Sequence, residues 1–313
     1  MKENRKTRFK RFAKSFKREW QLHLMVLFPV VYLIIFDYIP MYGMQIAFRD
    51  FRPKTKIWGS KWVGLKWFKD FTSSPDFGLI FANTIILSLY SLATFPIPII
   101  FALLLNAMKG ERYKKVVQTI TYMPHFISTT VMVGMFLMLA SPISGIYGNI
   151  FRMFGGTGYP LDFRATAAAF RHIYIWTGEW QGLGWSAIIY LASLSSVSAE
   201  LHEAAQIDGA SRFKRIWYVD IPSIMPTIAM KLVLACTGII GVGFEKAFLL
   251  QSSLNLSVSE VISTYIYKKG MSSFRNYSYG AAVGMFQTVI NMFLMILVNT
   301  AVSKATDGEI SMY

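Results

Sequence analysis

Apolar runs of about twenty residues recur along this chain, the length an α-helix needs to cross the hydrocarbon of a bilayer. In approximate bounds they cover residues 22–48, 78–108, 116–140, 166–195, 226–250 and 280–302. Lipid offers no water to backbone polar groups, so runs of this kind cross it as helices. The chain is therefore expected to be all-α, a polytopic membrane protein with six transmembrane helices. Composition agrees: 54% of the 313 residues are hydrophobic and only 16% are charged, against about 25% in soluble domains. The net charge of +15 invites a nucleic-acid reading, but the excess lies beside the apolar runs rather than on a soluble domain. It is expected to serve topology and contact with anionic membrane lipid, with no nucleic-acid partner. Cys236 is the single cysteine, which excludes an internal disulfide.

Residues 1–20 carry nine Lys/Arg against two Glu, with Phe9, Phe12 and Phe16 at helical spacing. They read as a basic cytoplasmic tail, an amphipathic helix lying on the inner leaflet. Residues 21–313 then form one transmembrane domain. Seven Lys/Arg in the loop 49–76 oppose that orientation. Cytoplasmic N- and C-termini are still preferred, because Lys109–Lys115, Arg212–Arg215 and Lys304 then all fall inside. The aromatics of the 49–76 loop, among them Trp58, Trp62, Trp67 and Phe71, suit the outer membrane interface. A contact for an extracytoplasmic binding protein is the second reading of that loop.

Between the fourth and fifth runs stands a hydrophilic island, residues 198–226, SAELHEAAQIDGASRFKRIWYVDIPSIMP. Ser198 is placed to cap a helix and Gly209 to end it in the left-handed conformation. Ser211 is placed to cap a second short helix, which Pro222 and Pro226 are expected to close. Glu203-Ala204-Ala205, then Gly209, then Val219-x-Ile221-Pro222 resembles the EAA loop of binding-protein-dependent ABC importer permeases, E-A-A-x3-G-x9-I-x-L-P. Val219 and Ile221 are the only departures, both conservative in shape. The fuller string EAAQIDGA is similar to the carbohydrate-uptake branch, and IAFRDFRPKTKIWGSKWVGLKWF to its oligosaccharide and polysaccharide members. The resemblance implies a six-helix permease fold whose island is a cytoplasmic coupling helix. Glu203, Ala204, Ala205, Asp208, Gly209, Ala210 and Pro222 would then dock on an ATPase. It implies further partners: a second homologous permease, two ABC ATPase subunits and an extracytoplasmic sugar-binding protein. It also implies a bacterial cell-membrane location, with no cofactor on this chain, ATP and Mg being bound by the ATPases.

Polar residues within the spans mark where a cavity is expected. Asn83, Thr84, Ser91, Thr94 and Pro98 share a face of the second span, which Pro96 and Pro98 should kink. His172, Glu179, Gly182, Ser186, Tyr190 and Ser193 share a face of the fourth, with Trp176 beside it. A carboxylate at depth costs about 2.5–3.5 kcal/mol on insertion scales, so Glu179 must face protein or water. Two readings stand: an acceptor for sugar hydroxyls, with Trp176, Trp180 or Trp185 offering faces to the ring, or a structural hydrogen bond. Phe244 and Glu245 open a segment, FEKAFLLQ, similar to one common in sugar permeases; gate or substrate contact stands beside a local Glu245–Lys246 ion pair. Gln287 and Asn291 fall on a small, polar stripe of the last span, better suited to helix packing than to the cavity. Lys231 is expected to snorkel towards the cytoplasm.

Catalytic readings find little to work with. His202-Glu203-Ala-Ala-Gln206 has Gln where HExxH needs its second ligand, and no GxxxxGK[ST] is present to cradle ATP. A membrane-embedded transferase would need acids or bases clustered at one surface beyond the EAA loop. An amino-acid, peptide or glycerol-phosphate permease remains the nearer alternative. Anionic cargo would favour Lys or Arg on the stripes of the fourth and sixth spans, and their absence there favours a neutral sugar.

Overall fold

The computed structural model describes residues 18–238, 240–271 and 275–305. The amphipathic helix expected over residues 1–20 lies almost wholly outside them. Among the described residues every regular element is helical. Helix α1 (Trp20–Phe48) is one continuous span, and no side chain from Trp20 to Tyr42 is buried. Its apolar surface is left for lipid or another subunit. Near its end the turn Ile34–Tyr38 widens to π geometry just ahead of Pro40. Proline lacks an N–H and its ring presses on the carbonyl four residues back, and the wider turn relieves both faults.

The loop that follows folds back on the bundle. Arg49 pairs with Trp62 in an isolated bridge, and its guanidinium lies 5.4 and 5.5 Å from the Trp58 and Trp62 rings. Helix α2 (Lys66–Thr72) carries Phe71, which is fully buried against Phe77, Tyr265, Tyr279 and Phe286. Phe71 is thus a core residue rather than an interfacial anchor, whereas Trp58 and Trp62 stay exposed.

Helix α3 (Phe77–Ala107) is a single span loosened at Thr94–Phe95, just before Pro96 and Pro98, as their spacing predicts. The third span is not the straight helix expected over 116–140. Helix α4 (Glu111–Tyr122) passes through a 3-10 turn at Met123–Phe126, which holds Pro124, and helix α5 (Thr129–Leu139) then leaves at 101°. The break is satisfied on both sides: Ser128 caps α5, and Gln181 Nε2 donates to the Ile127 carbonyl at 2.6 Å. Helix α6 (Ile146–Met153) lies between the third and fourth apolar runs. Helix α7 (Ala167–Ser195) runs through the middle of the molecule. At Gly184 it approaches α4 so closely that a Cβ would collide with the Thr121 carbonyl.

Helix α8 (Ala199–Ile207) turns 72° away from α7. Helix α9 (Arg212–Cys236) corrects the expectation for the island, because its second helix does not stop at Pro222 or Pro226 but continues into the fifth span. A π turn at Ile216–Asp220 precedes Pro222, as one precedes Pro40. The fifth span is itself broken. Non-helical backbone at Gly238 and at residues 240–243 separates α9 from α10 (Phe244–Leu250). Helices α11 (Leu256–Ser259) and α12 (Ile262–Met271) follow, and Gly270 near the end of α12 packs on Gly280 of α13 (Tyr277–Ala305). Among the described residues α1, α3, α9 and α13 are long and apolar enough to cross a membrane unaided. Counting the bent pairs α4–α5 and α7–α8 as one span each brings the number to six.

Three apolar clusters hold the bundle. One joins Leu87, Phe170, Tyr174 and Val242, a second Ile99, Ala187, Tyr190 and Ile224, and a third Phe71, Ile80, Tyr265 and Val283. The first two are both built on α3 and α7, and the space between them is not filled.

Candidate functional site

That space is a cavity of about 490 Å³ between α3, α7 and α9. Helix α7 presents Tyr174, Gly178, Gly182, Ser186 and Tyr190 to it at successive four-residue steps, the spacing that stacks side chains on one helix face. Helix α3 adds Ser88, Ser91 and Thr94, and α9 adds Lys231. The broken segment closes one side with Gly238, Gly241 and Gly243. Glu179 faces the same space, where Thr94 Oγ1 donates to its Oε1 at 2.7 Å. A carboxylate oxygen accepts several hydrogen bonds, so this one contact fixes the group and leaves further acceptor capacity. Hydroxyls, two phenols and a carboxylate share the walls with Leu87, Leu92, Phe95, Leu234 and Val242, so the cavity offers both hydrogen-bonding groups and apolar faces, as a polyhydroxylated ring with its C–H faces requires.

Lys246 is the residue that sequence reasoning placed least well. Its Nζ lies 4.1 Å from the centroid of the Tyr174 ring and against Gly178, both of which line the cavity. A Cβ at residue 178 would collide with that ammonium. Lys231 is also among the residues that line the cavity. Both lysines come from the fifth span, on either side of a break that periodicity does not reveal.

Glu179, Ser186 and Tyr190 are brought together as their spacing predicts. The other expected cavity residues lie elsewhere. Trp176 and Trp180 sit on a different face of α7, half exposed, in an apolar groove with Met132, Met135, Phe136 and His172. Asn83 is buried: its amide donates to the carbonyls of Ser257 and Glu260 and its Oδ1 accepts from Arg171. Phe244 stacks on Phe248 and packs tilted against Tyr267, while Glu245 accepts from Thr130 at 2.8 Å rather than pairing with Lys246. Both lie beyond the break, on α10. Gln287 and Asn291 clamp that break from α13. Gln287 Nε2 donates to the Ile240 carbonyl at 2.8 Å, and Asn291 Oδ1 accepts from the Ile240 N–H at 3.1 Å. Tyr174 and Ser263 hold two more of its polar groups, the Tyr174 hydroxyl accepting from Gly243 N and the Ser263 hydroxyl donating to Val242 O.

At the far end of α7 stands the EAA loop. Ser198 Oγ accepts from Glu200 N, and Ser211 Oγ accepts from Lys214 N. Gly209 has φ +72, and the bonds Ala210 N to Ala205 O and Gly209 N to Gln206 O complete a Schellman ending. Glu203, Ala204, Asp208, Gly209 and Pro222 are exposed, and Ala205 and Ala210 half-buried. Ile207 and Phe213 are 86% and 72% exposed, an apolar pair left uncovered by this chain. Behind the helix His202 Nε2 lies 3.3 Å from Asp220 Oδ1, which is buried. Among the described residues no cluster of side chains could hold a metal ion.

Residues 94–306 match the model of the binding-protein-dependent transport system inner membrane component family. Two Bacillus subtilis (strain 168) proteins are similar over nearly the whole chain. Protein LplB is 38% identical over 296 residues, covering 94% of this chain and 92% of its own. The polygalacturonan/rhamnogalacturonan transport system permease protein YteP is 37% identical over 310 residues, covering 99% and 95%. In the crystal structure of a bacterial ABC transporter involved in import of the acidic polysaccharide alginate, one chain superposes with TM-score 0.85 at 36% identity. It covers 94% of this chain and 99% of its own. Motif, bent six-span bundle and these likenesses agree: this chain belongs to the family of binding-protein-dependent transport system inner membrane components, a permease subunit of the ABC importers.

Proposed function

We propose that the chain is the permease through which an ATP-driven importer takes up oligosaccharides or fragments of polysaccharides. The observation that carries the reading is the hydroxyl-rich cavity holding Glu179, Ser186 and Tyr190. Its volume falls within the range of about 300–1,000 Å³ usual for small-molecule sites. The named substrates of similar proteins support a saccharide, and one related structure was solved with a periplasmic protein bound to alginate pentasaccharide. The chain performs no chemistry on its cargo and binds no cofactor. ATP and Mg act on two ATPase subunits, and a second homologous permease completes the pathway.

The EAA loop faces the cytoplasm, with both termini on that side. Glu203, Ala204, Ala205, Asp208, Gly209, Ala210 and Pro222 form the docking surface for an ATPase, with exposed Ile207 and Phe213 covered on assembly. ATP binding draws the ATPases together, and α8 passes the displacement to α7 and α9, which end and begin at the loop. Those two helices carry two walls of the cavity, so their movement opens it alternately to either side. The extracytoplasmic binding protein delivers the saccharide to the opposite end of the bundle.

The test is reconstitution. The chain is co-expressed with its partner permease, ATPase and binding protein, and uptake of labelled oligosaccharides into proteoliposomes is measured with and without ATP. Saccharide uptake that requires ATP is expected. Uptake of amino acids or glycerol phosphate instead of any saccharide would overturn the reading, and so would labelling of Glu203→Cys from outside intact cells.

A further inference from the structure

Helix α8 is attached to the bundle by little. None of its side chains is buried, and only His202 and Ala205 are even half-buried. Behind it lies a second cavity, of about 410 Å³, between the ends of α3, α7 and α9. Close-packed side chains are what make one helix follow another, because they transmit strain. A helix that backs onto a void lacks that drive, and a push on it is spent in tipping it into the space.

Among the described residues a single polar side-chain contact joins α8 to another helix. His202 Nε2 lies 3.3 Å from Oδ1 of Asp220 on α9, whose side chain is only 6% exposed. That oxygen is sealed from water, yet it has no well-aligned hydrogen bond. A buried acceptor in this condition is costly and asks for a reason. The other charged residues on the cavity wall are Lys109, Arg212 and Arg215. None belongs to α8, and the two arginines travel with Asp220 on α9. His202 alone carries the position of α8 to that carboxylate.

Asp220 is placed to pass a load on. It ends the π turn of α9, and the helix continues through Pro222 towards the central cavity. Leu234, which lines that cavity, stands roughly 21 Å further along by the rise of an α-helix.

We propose that His202 and Asp220 are a latch between the docking helix and the fifth span. Pressure on α8 closes the 3.3 Å contact into an aligned hydrogen bond, and α8 and α9 then move as one body. His202 is a positioning residue, acting through Asp220 on the cavity wall and not on cargo. The proposal rests on the reading of α8 as the ATPase-docking helix and adds the contact by which the load reaches the fifth span. Without the latch, α8 yields into the void behind it and ATP is hydrolysed without transport.

The experiment uses the full complex of both permeases, ATPases and binding protein in proteoliposomes. Labelled oligosaccharide imported per ATP hydrolysed is measured for wild type, H202A, H202Q, D220A and the double variant H202A/D220A. H202A should keep the ATPase on purification and hydrolyse ATP at the wild-type rate. Its import per ATP should fall about 10-fold, the loss of one charge-assisted hydrogen bond. H202Q, whose amide offers an N–H near the place of Nε2, should restore the ratio to within about threefold. The double variant should fall no further than either single one, about 10-fold rather than the roughly 100-fold of independent residues. Where D220A does not assemble, H202A and H202Q decide alone, since His202 sits on an exposed helix. An unchanged ratio in H202A, a loss that H202Q does not restore, or a double variant about 100-fold down would overturn the latch. Normal coupling in H202A beside loss of the ATPase in Gly209→Val would leave docking at α8 standing without it. Normal attachment and coupling in both would remove the docking reading beneath.

Discussion

The amide of Gln287 donates to the main-chain carbonyl of Ile240 across 2.8 Å, at the point where the fifth span loses its helix. Asn291, one turn further along α13, accepts from the N–H of the same residue. Non-helical backbone at membrane depth survives only where protein or water meets its polar groups. The small, polar stripe of the last span is thus explained by a broken neighbour. Replacing Gln287 or Asn291 by Leu strands one polar group of Ile240 and should cost about 1–3 kcal/mol. Thermal unfolding of the purified complex should show a lower midpoint for each variant. An unchanged midpoint in both would mean that the clamp does not hold the break.

Thr94 and Glu179 form the second relationship open to test. Thr94→Val keeps the shape of the side chain and removes the hydroxyl that holds Oε1 at 2.7 Å. A hydrogen bond to a charged group contributes about 1.5–3 kcal/mol, so the half-saturating cargo concentration should rise by about 10-fold or more. Glu179→Gln, which retains size and removes charge, should impair uptake at least as much. Unaltered transport affinity and rate in Glu179→Gln would leave this carboxylate with only a structural part.

Much of the bundle was legible in the residues. Apolar length placed the spans, and the order Ser198, Gly209, Ser211 placed the turns of the EAA loop with their caps. Steps of seven and four residues put Glu179, Ser186 and Tyr190 on one wall. The breaks were not legible, because an apolar run reads the same whether its helix is continuous or interrupted. Pro124 lies inside such a run, and the Gly238–Gly243 break is satisfied by side chains about fifty residues away in the chain. Pro222 misled in the opposite sense: a π turn absorbed it, so a residue that commonly ends helices sits within one. Lys246 could be placed beside the cavity wall, against Tyr174 and Gly178, only once the break was known.

Gly184 is required by proximity alone. A Cβ there would meet the Thr121 carbonyl and the ring of Tyr122, and backbone on α4 has little room to retreat. Gly184→Ala should therefore destabilise the fold by about 1–3 kcal/mol through overpacking, although alanine is the better helix former. A melting temperature equal to or above that of the parent would show that α7 and α4 separate freely.

The EAA loop offers the clearest separation of folding from coupling. Gly209 occupies the left-handed region at φ +72 and completes the ending of α8. A β-branched side chain is strained there by about 1–2 kcal/mol, so Gly209→Val should redirect the chain between α8 and α9 without touching a span. Glu203→Ala leaves the backbone alone and removes one exposed acid. Both variants should insert into the membrane in normal amount. Gly209→Val should lose the ATPase on affinity purification, and Glu203→Ala should retain less of it and show cargo uptake reduced by about 10-fold, the loss of one charge-assisted contact. Ordinary uptake by both, with the ATPase still attached, would move the docking surface away from α8.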